Sequence, residues 1–277
     1  MLRVGLIQMT SGPVVADNLH YLEQQVSLLA SQGVDVIVTP ENVALFASHA
    51  DYQQSAEPIG QGPIQQAVAD LAQRYQCYIL LGSMSIQRSH GLTSTSILFA
   101  PQGQLLADYD KLHLFDVDVA DQHQAYRESA VFCGGDRLVV AKTELANLGL
   151  SICYDLRFPS LYHELRRQGA QIMLIPAAFT AVTGKAHWRT LLMARAIETQ
   201  SWVIAVGQTG THPCGRQTWG HSMVINPWGE VVAELGAELA NLVVEIDLRS
   251  LHTIRQNMPV LEHTRFHHQF IEKKNPL

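Results

Sequence analysis

Short, mostly apolar segments recur along this chain of 277 residues and limit its possible folds more than any other feature. Segments 34–39, 148–152 and 171–177 predict buried strands, and those that are apolar almost throughout must be covered on both faces. Other segments repeat apolar residues at helical spacing, as in 18–32 and 63–75. Strands that alternate with amphipathic helices indicate a layered α/β fold.

The remaining predicted elements extend this pattern along the chain. We predict further strands at 4–9, 78–82, 95–99, 105–109, 202–207, 220–225, 231–235 and 241–246, and further helices at 159–168, 188–199 and 250–257. No Pro- or Ser-rich linker interrupts them, so the chain is interpreted as one domain, 1–277, with a C-terminal tail over roughly 258–277. The tail carries Leu261, Phe266 and Phe270 without clear amphipathic order, which suggests that it docks on another surface.

Charge and cysteine usage exclude several classes of protein. The net charge is −6 and no basic run occurs, so nucleic acid and anionic membrane surfaces are not expected as partners. No apolar run approaches the roughly 20 residues that span a bilayer, and no secretory leader is evident. The four cysteines, 77, 133, 153 and 214, form no CxxC pair, which argues against a disulfide framework and a zinc site. We expect a soluble, cytoplasmic protein.

Cofactor and metal motifs are also missing from the sequence. Neither GxGxxG nor GxxxxGK occurs, so no nucleotide or phosphate loop is expected. His263, His267 and His268 lie in the polar tail without an HExxH pattern and are interpreted as surface residues. We therefore expect no cofactor and no metal.

Segment 148–159 places a thiol between a strand and a helix. Cys153 follows the predicted strand, and Pro159 suits the first turn of a helix because its missing N–H is not needed there. Amide N–H groups at such a junction would lower the thiol pKa and could receive an oxyanion. A buried structural cysteine is the common alternative, but the neighbouring Asp155 and Arg157 are unusual for an apolar core.

Two further polar residues follow predicted strands. Glu41 comes after 34–39, and burial there would raise its carboxyl pKa towards the range of a general base; a helix-capping role is the alternative. Lys111 follows 105–109 and could either reach solvent or supply a fixed positive charge to an oxyanion.

Three motifs together resemble those of the nitrilase superfamily of carbon–nitrogen hydrolases. They are Thr39-Pro-Glu-Asn42, Tyr109-Asp-Lys-Leu-His-Leu-Phe115 and Ile152-Cys-Tyr-Asp-Leu-Arg-Phe-Pro159, and the resemblance extends from Met1 to the region of Ile254. It implies an αββα sandwich, in which two packed sheets carry helices on their outer faces.

The resemblance also implies roles for individual residues. Cys153 would be the nucleophile, Glu41 the general base, and Lys111 with the backbone N–H of Tyr154 the oxyanion donors. Glu128 matches a second acidic position that orients the lysine or assists the base. Its loop departs from the family, which usually carries Pro-Gly at 121–122 and Pro-Gly-Asp at 134–136.

Within the superfamily, 194–200 and 220–224 resemble the branch that includes deaminated glutathione amidase; the ω-amidase branch, acting on α-ketoglutaramate, is the nearest alternative. This implies an amidase for a small carboxylated amide that works through a thioester, and a homodimer. Candidate substrate-binding residues are Arg157, Phe179, Thr180 and Lys185, with Arg195 adding charge.

Two other hypotheses remain open from the residues alone. A non-catalytic binding protein with an inert Cys153 is one. A Cys–His hydrolase with His113 or His187 as base is the other.

Overall fold

The computed structural model describes residues 1–266, 268, 269 and 271. Its strands, in chain order, are β1 Leu2–Gln8, β2 Val36–Val38, β3 Glu57–Pro58, β4 Tyr78–Arg88, β5 Gly91–Phe99, β6 Leu105–Asp110, β7 Asp116–Asp118, β8 Ala125–Arg127, β9 Val140–Lys142, β10 Asn147–Leu150, β11 Ile172–Ala177, β12 Trp202–Gly207, β13 Thr209–Thr211, β14 Gln217–Trp219, β15 Met223–Ile225, β16 Val231–Glu234 and β17 Ala240–Ile246. The helices are α1 Val15–Ala30, α2 His49–Gln54, α3 Pro63–Tyr75, α4 Pro159–Arg167, α5 Ala181–Thr199, α6 Arg249–Asn257 and α7 Val260–His263.

Two large sheets form the centre of the molecule. The first has the order β17-β1-β2-β4-β5-β6, with β3 beside β4, and the second has the order β16-β15-β12-β11-β10-β9. Buried side chains from both sheets, such as Leu80 and Leu174, belong to one apolar cluster, so the sheets pack face to face. The late strand β17 pairs antiparallel with β1 and thereby closes the chain onto its own beginning.

Helices cover the outer faces of both sheets. Leu22 and Val26 of α1 and Val68 of α3 pack with outward-facing side chains of the first sheet in a second apolar cluster. On the other side, α4 and α5 contact β10 and β12. The architecture is the predicted αββα sandwich in a single domain.

Local backbone geometry explains where the predicted boundaries were wrong. The strand predicted at 220–225 begins only at Met223, because Gly220 and His221 have positive φ values of 69° and 54°. The helix predicted from 188 begins at Ala181, since the Thr180 side chain accepts a hydrogen bond from the Thr183 N–H and caps it.

The predicted tail is only partly described by the structure. It contains α7, and Phe266 is 79% exposed. His267 and Phe270 lie outside the described residues, so the docking role of this segment stays a prediction. In the part of the chain that the structure describes, no helix combines the length and apolarity that a membrane crossing requires.

Close packing of two backbones positions the segment after β2. Thr39 Oγ1 donates to the Leu80 carbonyl at 2.9 Å and accepts from the Gly82 N–H at 2.8 Å. A Cβ atom on Gly82 would lie 2.2 Å from the carbonyl oxygens of Thr39 and Pro40. Only glycine therefore fits at position 82 while Glu41 keeps its place.

We predict that Gly82→Ala lowers the free energy of unfolding by about 1–3 kcal/mol or more, because backbone atoms cannot yield as a side chain can. The matched control is Gly236→Ala, where no atom lies within 4 Å of the added Cβ; its effect should stay within about 0.5 kcal/mol. Chemical denaturation measures both. Equal stability of the two variants would contradict the prediction.

Candidate active site

One cavity of about 450 Å³ collects most of the candidate residues from the sequence. Glu41 follows β2, Lys111 follows β6, Glu128 follows β8, and Cys153 lies three residues beyond β10. All four line the cavity. The two packed sheets thus bring together residues that are as much as 112 positions apart in the chain.

Lys111 lies between two carboxylates. Its Nζ is 2.8 Å from Glu41 Oε1, and 2.9 and 2.8 Å from the two carboxylate oxygens of Glu128. The lysine is only 1% exposed, so its ammonium depends on these partners to remain charged. Glu128 Oε2 also accepts from the Phe115 N–H at 2.6 Å, which fixes the carboxylate beside the lysine.

Cys153 has an unusual backbone conformation. Its φ is 48°, in the left-handed region that a residue with a side chain rarely adopts, and it begins the 3₁₀ turn Cys153–Arg157. In the cavity the thiol lies beside the Glu41 carboxylate and the Ala178 backbone N–H, and both groups act on the pKa of Cys153. The strained turn thus holds the sulfur against the carboxylate. The next residue, Tyr154, lies near the start of the turn, where a backbone N–H has no partner within the turn.

Asp155 fixes the nucleophile turn to the segment around Lys111. It is fully buried and accepts hydrogen bonds from the Ile152 N–H at 2.9 Å and the Tyr109 hydroxyl at 2.8 Å. It also lies 3.1 Å from the His113 backbone nitrogen and 2.7 Å from Nδ1 of the same residue. The Asp155 carboxylate is therefore occupied by these groups.

The pKa shifts reverse two expectations from the sequence. Burial, together with the neighbouring Glu41 carboxylate, raises the Cys153 thiol pKa well above its ordinary value, although lowering was expected. Burial alone would raise the Glu41 pKa, but the Lys111 charge and hydrogen bonds from Cys153 and Lys111 lower it overall. The site therefore holds a neutral thiol beside an ionised carboxylate at neutral pH.

The other two charged groups also shift. Burial by itself lowers the Lys111 pKa, but the two carboxylates raise it well above its ordinary value. For Glu128, burial and the nearby Glu41 charge raise the pKa despite the opposing effect of Lys111. These groups titrate as one coupled set, in which a single ammonium is shared by two acids.

The candidate binding residues separate into two groups. Tyr154, Arg157 and Phe179 line the cavity, and the Arg157 guanidinium carbon lies 5.2 Å from the centre of the Phe179 ring. Thr180 is buried as the cap of α5, and Lys185 is exposed on that helix; neither is among the residues that line the cavity.

Arg195 does not add charge to the rim either. Its guanidinium is buried and donates to the Leu156 carbonyl at 3.0 and 2.8 Å, behind the nucleophile turn. It also forms an ion pair with Glu198 at 2.9 Å. We interpret it as a support of the turn that carries Cys153.

The histidines proposed as alternative bases have other contacts. His113 stacks on Phe158 with ring centres 3.6 Å apart and bonds to Asp155, while the exposed His187 contacts Arg157. The hydrogen bond of Cys153 goes to Glu41 instead. The geometry therefore favours a glutamate as the base.

Sequence reasoning missed part of the cavity wall. Phe46, Tyr126, Cys214 and Arg216 all line it. The short hairpins that carry the last three show no pattern that marks them as a binding surface. Among the described residues, no group of three or more His, Cys, Asp or Glu side chains is arranged to hold a metal ion.

Comparison with known proteins places this geometry in a family. The model of the carbon–nitrogen hydrolase family matches residues 3–256. The deaminated glutathione amidase of Yersinia enterocolitica is 47% identical over 266 residues, which cover 95% of this chain and 93% of that protein. The human omega-amidase NIT2 is 34% identical, with 99% of each chain covered.

A solved structure gives the same result for the fold. The crystal structure of Saccharomyces cerevisiae Nit3, described as a member of branch 10 of the nitrilase superfamily, superposes with a TM-score of 0.86 at 27% identity. The match covers 96% of this chain and 97% of Nit3. The family-wide match, the similarity to these relatives and the shared fold confirm the resemblance of the three motifs: the chain belongs to the carbon–nitrogen hydrolases of the nitrilase superfamily.

Proposed function

We propose that this protein is an amidase that hydrolyses deaminated glutathione through a thioester on Cys153. The observation that carries the proposal is that Cys153 and Glu41 line one cavity, in which the Glu41 carboxylate is held 2.8 Å from the Lys111 ammonium. A thiol paired with an ionised base beside a fixed positive charge is the arrangement that nucleophilic catalysis on an amide requires. The 47% identity with a deaminated glutathione amidase supports the choice of substrate.

The first half-reaction follows from this arrangement. As the sulfur of Cys153 attacks the amide carbon, its proton passes to Glu41. The carbonyl oxygen gains negative charge, which Lys111 and the Tyr154 N–H stabilise. The carbon–nitrogen bond then breaks, Glu41 returns the proton to the leaving amine, and the acyl group remains on sulfur as a thioester.

The second half-reaction reuses the same groups. Glu41 takes a proton from water, whose oxygen attacks the thioester carbon. The carbon–sulfur bond breaks, and the proton returns to Cys153. Glu128 positions Lys111 throughout, because its carboxylate contacts the ammonium with both oxygens.

The substrate carries a carboxylate on its keto-acid half, and Arg157 is a suitable partner for it. A guanidinium keeps its charge at any working pH and can bind a carboxylate through two parallel hydrogen bonds. Phe179 and Tyr154 lie under the guanidinium and orient it. ω-Amidase activity on α-ketoglutaramate is the second candidate, because that amide has the same keto-acid half and human NIT2 is a relative.

The oligomeric state and the cellular location of the protein stay predictions. We propose a homodimer in the cytoplasm, whose reducing conditions suit a catalytic thiol. The four cysteines are all free in the structure, which is consistent with that environment.

We predict that Cys153→Ala, Glu41→Gln and Lys111→Ala each reduce kcat/KM roughly a hundredfold or more, because each removes the nucleophile, the base or the oxyanion donor. Circular dichroism should show that the variants remain folded. Cys133→Ala is the matched thiol control and should keep full activity, since Cys133 lies outside the cavity. An active Cys153→Ala variant, or the failure to trap an acyl-enzyme on Cys153 by intact mass, would contradict the mechanism.

The pH dependence follows from the direction of the Glu41 shift. A carboxyl group with a lowered pKa stays ionised below the ordinary value of 4.5, so the base remains available. We predict that kcat/KM stays level from neutral pH down to about that value and falls only below it. An acid limb centred clearly above 4.5 that persists in Glu128→Gln, which lacks the carboxyl group of raised pKa, would contradict the lowered Glu41 pKa, provided that circular dichroism shows an intact fold.

The substrate choice can be tested with a small panel. We predict that kcat/KM is highest for deaminated glutathione, lower for α-ketoglutaramate and negligible for a neutral nitrile. Arg157→Lys should lower the values for both carboxylated amides, because lysine cannot reproduce the two-point contact. A clear preference for α-ketoglutaramate would indicate an ω-amidase, and turnover of the nitrile alone would exclude an amidase.

A further inference from the structure

Arg216 presents an uncompensated positive charge to the cavity. Within the described residues its guanidinium donates one hydrogen bond, from Nη2 to the Ala178 carbonyl at 2.8 Å. The Nε of the guanidinium is buried without a partner. By contrast, Arg88 and Arg127 each bond to at least one carboxylate. A half-buried guanidinium with unused donors in a cavity is suited to bind an anion.

Aromatic rings hold this guanidinium in place. Its central carbon lies 5.2 Å from the Phe46 ring centre and 4.9 Å from that of Tyr126. Phe46 in turn stacks on the buried His212 ring at 3.7 Å, and the His212 N–H donates to the Arg216 carbonyl at 2.9 Å. Because two rings lie against the guanidinium, little side-chain freedom is lost when an anion binds.

The position of Arg216 relative to the reacting groups can be established from Ala178. Ala178 lines the cavity together with Cys153, and its carbonyl accepts from Arg216. Phe46, over whose ring the guanidinium lies, follows Glu41 by five residues and lines the same cavity. Arg216 therefore lies on the side of the nucleophile where the base is.

Arg157 lies against a different part of the wall. It contacts Tyr154, Phe179 and His187, none of which contacts Arg216. In the mechanism above, Glu41 must give its proton to the leaving nitrogen. The leaving group therefore extends towards Glu41 and Arg216, and the acyl half towards Arg157.

We propose that Arg216 binds the carboxylate of the leaving group, so that the cavity recognises an amide with one anion on each side of the scissile bond. The assignment rests on the proposed function. In deaminated glutathione the leaving group is cysteinylglycine, which ends in a carboxylate. In α-ketoglutaramate it is ammonia, which offers Arg216 no anion, so Arg216 determines specificity between the two amides.

The test compares deaminated glutathione with its C-terminal glycinamide analogue, which differs only in lacking the leaving-group charge. We expect the kcat/KM of the wild type to be roughly 10- to 100-fold higher for deaminated glutathione than for its glycinamide analogue, because the contact is charge-assisted. In Arg216→Met this ratio should fall to about one, and kcat/KM should fall more for deaminated glutathione than for α-ketoglutaramate. Arg216→Lys, which keeps the charge but not the flat fork, should give an intermediate ratio.

Two control variants separate this effect from general loss of charge or structure. Arg157→Met should lower the values for all three amides and leave the ratio intact. Arg189→Met should change nothing, because Arg189 is exposed and pairs with Glu234 outside the cavity. An unchanged ratio in Arg216→Met, or an equal loss for all three amides, would overturn the proposal.

Binding to the Cys153→Ala variant distinguishes this proposal from the proposed function. Calorimetry measures the Kd of deaminated glutathione and the Kd of its glycinamide analogue. Both are measured for Cys153→Ala and for the double variant Cys153→Ala, Arg216→Met, and the ratio of the two Kd values is compared. If the wild type hydrolyses neither analogue, the proposed function fails. A Kd ratio that still falls to about one when Arg216→Met is added would then support the anion site. A Kd ratio that does not change would overturn it.

Discussion

The buried ammonium of Lys111 is the interaction on which the active end of this sandwich depends. A charge that is taken out of water costs several kcal/mol unless opposite charges surround it closely. Glu41 and Glu128 fulfil that condition at 2.8 Å, and they come from different parts of the chain. The segment after β2, the end of β6 and the turn after β8 must therefore converge in one place.

The nucleophile is attached to this charged centre by hydrogen bonds. Asp155 links the turn that carries Cys153 to Tyr109 and His113, which flank Lys111 in sequence. Such a network gives the strained φ of Cys153 the surrounding support that left-handed residues need. Catalytic geometry and local stability thus depend on the same buried polar contacts.

The remaining wall of the cavity consists largely of aromatic rings and guanidinium groups. Aromatic rings orient two guanidinium groups, Arg157 and Arg216, without neutralising either by an ion pair among the described residues. Charges kept in this way are available to a substrate and cost little reorganisation when it binds. The family supplies the reaction, and we infer that these two arginines select which amide undergoes it.

The sequence by itself determined the layered α/β fold, because apolar periodicity is local, and it placed Glu41, Lys111 and Cys153 shortly after predicted strands. Their catalytic roles came from the resemblance of the three motifs to the nitrilase superfamily. It also predicted shifts in the pKa values of Glu41 and Cys153, but in the wrong direction. The Glu41 pKa is lowered because Lys111 lies 2.8 Å away, a distance set by the first sheet, in which β2 and β6 precede the two residues. The Cys153 pKa is raised because the thiol is buried beside Glu41. Lys185 and Thr180 were predicted to bind substrate but do not line the cavity. At the start of α5, Lys185 is exposed to solvent and Thr180 caps the helix. Arg216 could be found only in the folded molecule, because its partners Phe46, Tyr126 and Ala178 are brought together by tertiary packing and leave no spacing in the sequence.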